Sequence, residues 1–286
     1  MDGVPTVFCQ RVAALWKNVP QHNIPDFQWI EESKKRWLRL LINVDPTGKW
    51  MYGFYEFDNF VTGDELKKWP NLELAVITSI YFGEGHPAAN LQPLDADIMR
   101  LVTYLSNEPR IDLSLTDQTF TSPEGSNVLS WLQEMYFSDV SIISYRSAYN
   151  RLLERQFSRR KPTSIHVFKI KSGGEFLVRE LAAVRIQDFL NLCDIYILPI
   201  RVLKGVIERF VDDPKQFDRK YHIRGKFNKD EVFQVIQKTI RMKLCKTNRT
   251  LRSVAYEIGS KNGSDRLEVK ITDFGGETNF VSVTVL

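Results

Sequence analysis

The chain is poor in cysteine and histidine and has no long apolar run. Its 286 residues hold three cysteines and four histidines. Cys9, Cys193 and Cys245 are too few and too scattered for a disulfide scaffold, and no two of them stand at C-x-x-C spacing. His22, His86, His166 and His222 are as dispersed, so no metal-ligand cluster is written into the sequence. No stretch approaches the roughly 18 consecutive apolar residues of a membrane span. The opening Met-Asp-Gly-Val-Pro lacks the basic region of a secretory signal. These absences predict an intracellular protein, cytoplasmic or nuclear, with no membrane partner.

The signatures of catalysis are missing as well. Cradling a phosphate needs a glycine-rich turn between a strand and a helix. The G-x-G at Gly83-Glu84-Gly85 is followed by His86-Pro87 and lacks the third glycine, so no such turn is expected. Asp273-Phe274-Gly275 spells the kinase magnesium triplet without the catalytic or glycine-rich loops that give it meaning. It reads as a strand end before Gly275-Gly276. His166, alternating on a predicted strand, reads as a packed or surface histidine, and Cys193, beside Leu190 and Leu192, as a buried thiol. The expectation is a protein without cofactor or metal that is not an enzyme.

What is present is enough apolar material, 43% of residues with 12% aromatic, to bury a substantial core. The net charge of +4 hides an asymmetry: residues 1–150 carry 12 basic against 19 acidic side chains, and residues 151–286 carry 27 against 16. Basic side chains gather at Arg151, Arg155, Arg159, Arg160 and Lys161, and again from Lys238 through Arg241, Lys243, Lys246 and Arg249 to Arg252. Nucleic acid, which such density can attract, is therefore the alternative partner to protein.

Along the chain, Phe8, Val12, Leu15 and Trp16 stand at helical spacing, followed by a second stripe of Phe27, Ile30, Trp37, Leu38 and Leu41. Together they predict a small helical head over residues 1–45. Its border with the next strand, somewhere in 37–41, stays open. Leu38–Val44 and Lys49–Phe57 flank Asp45-Pro46-Thr47-Gly48 and predict a β-hairpin. Residues 46–286 form the body. Short strands starting at 75, 111, 140, 164 and 195 alternate with helical stripes, which fits either a doubly wound sheet or a repeat solenoid. Without a phosphate turn, an irregular leucine-rich-repeat-like arrangement is the expected one. Asn228, three residues before Glu231, predicts a helix cap, and Asn262-Gly263 predicts a hairpin. The fold class is thus α/β: a helical head with a hairpin, a strand–helix body, and an antiparallel meander at the end.

The segment VPTVFCQRVAALW, followed by WIEESKKRWLRL, resembles the divergent F-box and F-box-associated-like families of nematodes. A leading Pro5, apolar Phe8, Val12 and Leu15, and Trp37 some thirty residues on occupy comparable places, although Val4 stands where the family carries leucine. The resemblance implies a substrate-recruiting adaptor of a cullin–RING ubiquitin ligase. Pro5, Phe8, Val12, Leu15 and Trp37 would dock a Skp-type adaptor, and the body would hold an unknown target protein. The other reading of those five residues is core packing against the body.

Overall fold

The computed structural model describes residues 35–57, 59–83, 90–106, 111–117, 120–159, 164–191, 196–217, 221–241, 245–249, 253–261, 265–273 and 277–286. The chain divides into two compact units, Met1–Ile111 and Asp112–Leu286.

In the first unit, β1 (Arg36–Val44) lies between β2 (Trp50–Glu56), antiparallel to it, and β4 (Ala75–Phe82), parallel to it. The expected hairpin forms. The Asp45 carboxylate accepts the backbone N–H of Thr47 at 2.8 Å and of Lys49 at 2.9 Å, and Gly48 takes a φ of +88° that favours glycine. The second helical stripe is corrected from Trp37 onward: Trp37, Leu38 and Leu41 belong to β1, not to a helix. The run LRLLI satisfies either period, and hydrogen bonding on both flanks decides for the strand. Leu38, Leu40 and Ile42 are fully buried on one face. The head expected over residues 1–34 lies outside the described residues. A short β3 (Asn59–Val61) and β5 (Gln92–Pro93) pair with β2. Helix α1 (Gly63–Lys67) opens on a reciprocal cap between Thr62 and Glu65, and α2 (Ala96–Leu105) opens on Asp95.

The second unit has β6 (Asp112–Leu115), β7 (Asp139–Tyr145), β8 (Ser164–Ile170) and β9 (Asp188–Asn191) side by side in chain order, all parallel. Between and after them come α3 (Pro123–Glu134), α4 (Asn150–Arg159), α5 (Gly174–Ala182) and α6 (Ile200–Asp212). A doubly wound sheet reverses its strand order at a switch point; here order never reverses. Right-handed crossovers that always step the same way put their helices on one face. Accordingly α3 packs on α4 and α5 on α6. Arg209 of α6 donates from Nε to the Ala182 carbonyl at the end of α5, at 3.0 Å.

The fourth parallel strand is β9, not the run beginning at Ile195. The segment from Phe189 to Leu198 offers two apolar stretches, and the first pairs with β8. Leu198 instead donates its N–H to the Lys226 carbonyl at 2.7 Å just before Pro199 starts α6. Next comes β10 (His222–Asn228), parallel to β9 and antiparallel to β14 (Thr278–Val285). Asn228 caps α7 (Lys229–Arg241), accepting from the N–H groups of Asp230 and Glu231. The meander closes in the order β14, β13 (Arg266–Asp273), β12 (Ser253–Gly259), β11 (Cys245–Arg249). β11 carries Lys246 and Arg249 of the second basic cluster.

One register row of this sheet, running through Leu113, Val140, Ile165, Phe189, Ile223 and Val283, is buried throughout. That is the helix side.

Candidate functional site

Of the five residues expected to dock an adaptor, Pro5, Phe8, Val12 and Leu15 lie outside the described residues. Trp37 stands half-buried on β1, opposite Val76, with the Lys35 ammonium 5.6 Å from its ring. Of the basic groups, Arg155 is tied to Glu134 at 2.6 Å, while Arg151 and Lys238 are exposed.

Ligands of open α/β sheets favour the carboxyl ends of the strands. In the second unit that end carries Asp117, Arg146 and Lys171, one from each loop after β6, β7 and β8. Asp117 accepts from Lys171 Nζ at 2.6 Å and from Arg146 Nη2 at 2.7 Å. Those hydrogen bonds, Lys171 first, bring its carboxyl down to about 2. The loop into α5 also corrects an expectation, because a glycine-rich strand-to-helix turn is present: Lys171-Ser172-Gly173-Gly174. Gly173 has a φ of +74°, and a Cβ there would stand 2.7 Å from the Ser147 Cα. The turn is packed against the chain, with Ser172 Oγ accepting the Ser147 N–H at 3.0 Å. The Tyr145 hydroxyl donates to Asn150 Oδ1 at 2.8 Å, and burial pushes the Tyr149 hydroxyl up to about 12. These groups pair largely with one another, although the buried Arg146 Nε has no hydrogen-bond partner among the described residues, and they do not form a nucleophile with its base.

The other face of the sheet is the broader feature. The parallel crossovers of the second unit put their helices on the opposite side. The outward row beside the buried one runs Ser114, Ser141, His166, Leu190, Arg224 and Ser282. A second row sets Asp112 opposite Asp139 and Glu257 opposite Glu268. Burial, then the neighbouring Asp139 charge, raises the Asp112 carboxyl above the usual range. Asp139 itself accepts from the hydroxyls of Ser138 and Ser164. His222 Nδ1 lies 3.0 Å from Thr284 Oγ1, and the Arg224 guanidinium sits 4.6 Å over the Phe280 ring. Ile143 and Phe168 occupy the positions between the pairs Ile142–Val167 and Ser144–Lys169, and they are 38% and 39% exposed. Two large apolar side chains thus stand on neighbouring strands, among serines and charges of both signs.

No group of three or more histidine, cysteine, aspartate or glutamate side chains among the described residues is placed to hold a metal ion. None of the described helices is long and apolar enough to cross a membrane. Compared with family models, curated proteins and solved structures, the chain matches none. The reading of its function therefore rests on its own residues. Sequence reasoning passed over Ile143 and Phe168, although the signal is there: in VSIISY and SIHVFKI they break the inside–outside alternation with an apolar residue on the outward side.

Proposed function

We propose that this is a non-enzymatic interaction protein, and specifically a substrate-recruiting adaptor of a cullin–RING ubiquitin ligase acting in the cytoplasm or nucleus. The observation that carries the interaction reading is the sheet face of the second unit opposite the crossover helices, with Ile143 and Phe168 exposed side by side. Adaptor docking is supported by the resemblance of the segment containing Pro5, Phe8, Val12 and Leu15 to an F-box. In this reading the head holds a Skp-type adaptor and the open face holds the target, so chemistry is left to the rest of the ligase. The mixed charge of the face, with Asp112, Asp139, Glu257 and Glu268 beside Arg224 and Lys270, favours a protein target over a polyanion.

The test is co-elution of the full chain with a purified Skp-type adaptor on gel filtration. The expected result is a complex that Phe8→Asp dissolves and that Phe168→Ser leaves intact. No complex with the unmodified chain, or one indifferent to removal of residues 1–45, overturns the adaptor reading.

A further inference from the structure

On the helix side of the second unit, a cleft of about 430 Å³ opens between α4 and α5, lined by Glu154, Phe157, Ser158, Arg179, Glu180 and Arg185. At its base the Glu180 side chain is only 3% exposed. Arg179 Nε donates to Glu180 Oε1 at 2.9 Å, and Arg185 Nη1 lies 3.2 Å from Oε2. Oε2 has no hydrogen bond of good geometry among the described residues. A carboxylate so buried is tolerated only when charge-paired, so Glu180 fixes both guanidiniums at the mouth.

Two features show that the pair is built rather than accidental. The first is Val184, where α5 ends. It is buried and has a φ of +57°, a left-handed conformation that branched side chains rarely adopt. There it makes the turn in which Val184 donates to the Leu181 carbonyl and Arg185 to the Glu180 carbonyl, both at 3.0 Å. A costly backbone state thus returns Arg185 over the end of the helix to Glu180, and strain of this kind gathers at functional sites. The second is aromatic: Phe157 and Phe176 stack with centroids 6.3 Å apart, and the Arg179 guanidinium lies 5.0 Å over Phe176.

A guanidinium has five N–H donors. Arg179 spends one on Glu180, and its approach to Glu154 is 3.9 Å, too long for a hydrogen bond. The two arginines remain 65% and 60% exposed. Two oriented guanidiniums with donors to spare, beside an aromatic wall, match a planar carboxylate on an apolar body. We infer that this cleft binds the carboxylate of a small aromatic or aliphatic acid between Arg179 and Arg185, with the body of the ligand against Phe157. Glu154 acts as the internal competitor at the rim. The inference stands on the cleft alone and is independent of the adaptor reading.

The experiment is calorimetric titration of the full chain with 3-phenylpropionate and its amide, and with a short peptide ending in phenylalanine as free acid and as amide. The acids are expected to bind at least tenfold tighter than the amides. Arg185→Lys keeps the charge but removes the planar fork, and should weaken the acid severalfold at unchanged melting temperature. Glu154→Gln frees Arg179 and should tighten binding severalfold, a gain that a damaged fold cannot mimic. Binding of the free acid identifies a small-molecule site, and binding of the peptide acid alone a partner's terminal carboxylate. No saturable binding by either acid, equal binding of acid and amide, or loss of affinity in Glu154→Gln overturns the inference.

Discussion

Gln156 is the polar residue on which the packing of α4 against the sheet turns. Its side chain is fully buried. Oε1 accepts the Phe137 N–H at 2.9 Å, and Nε2 donates to the Met135 carbonyl at 2.9 Å, so one amide pairs with two backbone groups of the link from α3 to β7. Gln156→Met keeps length and volume and removes both bonds. Each buried group left without a partner costs about 1–3 kcal/mol. The thioether recovers about 1 kcal/mol through its apolar surface, leaving a net loss of about 3 kcal/mol. At about 2–4 °C per kcal/mol for a unit of this size, the melting temperature should fall by about 6–12 °C. Urea denaturation followed by far-UV circular dichroism gives the free energy directly. Gln156→Glu sharpens the test. Its carboxylate keeps the acceptor for Phe137 but faces the Met135 carbonyl without a proton, so its folded-state pKa is raised. Its stability should therefore be highest below the ordinary carboxylate range and fall as pH rises through the raised value. A Gln156→Met loss under about 1 kcal/mol, within the spread of neutral substitutions, would refute the reasoning.

Two other perturbations are well defined. The Asp117 carboxyl, held at about 2 by Lys171 and Arg146, contributes stability above the usual carboxylate range and loses it as pH falls through about 2. Because Asp117 is half exposed, Asp117→Asn should cost only about 0.5–1 kcal/mol at pH 7 and almost nothing at pH 2, read from urea midpoints at both. Thr62→Ala removes the side-chain half of the cap on α1, the Oγ1 that accepts the Glu65 N–H, and should cost about 1 kcal/mol, with faster hydrogen exchange at the Glu65 amide; unchanged exchange there would contradict the cap.

Much of the fold was legible because the chain states its boundaries chemically. Asp45 and Gly48 announce the first hairpin, Asn228 its helix, and the short apolar run SIHVFKI predicts Ser164–Ile170, the span that β8 occupies. Where the sequence misled, two periods or two segments competed for one place. Leu38–Ile42 suits helix and strand alike until β2 and β4 flank it. Phe189 and Ile197 both offer a strand, and only pairing with β8 selects the first. The Lys171–Gly174 turn was missed because its glycines stand together rather than at the spacing of a phosphate motif. Periodicity marks which side chains face outward from a strand, but not whether a helix covers them, so the open face was invisible. The Glu180 cleft was hidden for a similar reason: Glu154 and Arg185 meet there only because adjacent crossovers lie side by side.

The position of β14 has a consequence for how the chain is made. It lies between β10 and β13 in the sheet although it follows both in sequence. During synthesis, the parallel strands and the β11–β13 meander can each assemble while residues 278–285 are still to come. Until then both carry an unpaired edge at the place where β14 will enter, and unpaired edges recruit foreign strands. The second unit therefore closes like a zipper whose last tooth is central, and its most aggregation-prone moment falls just before β14 is delivered.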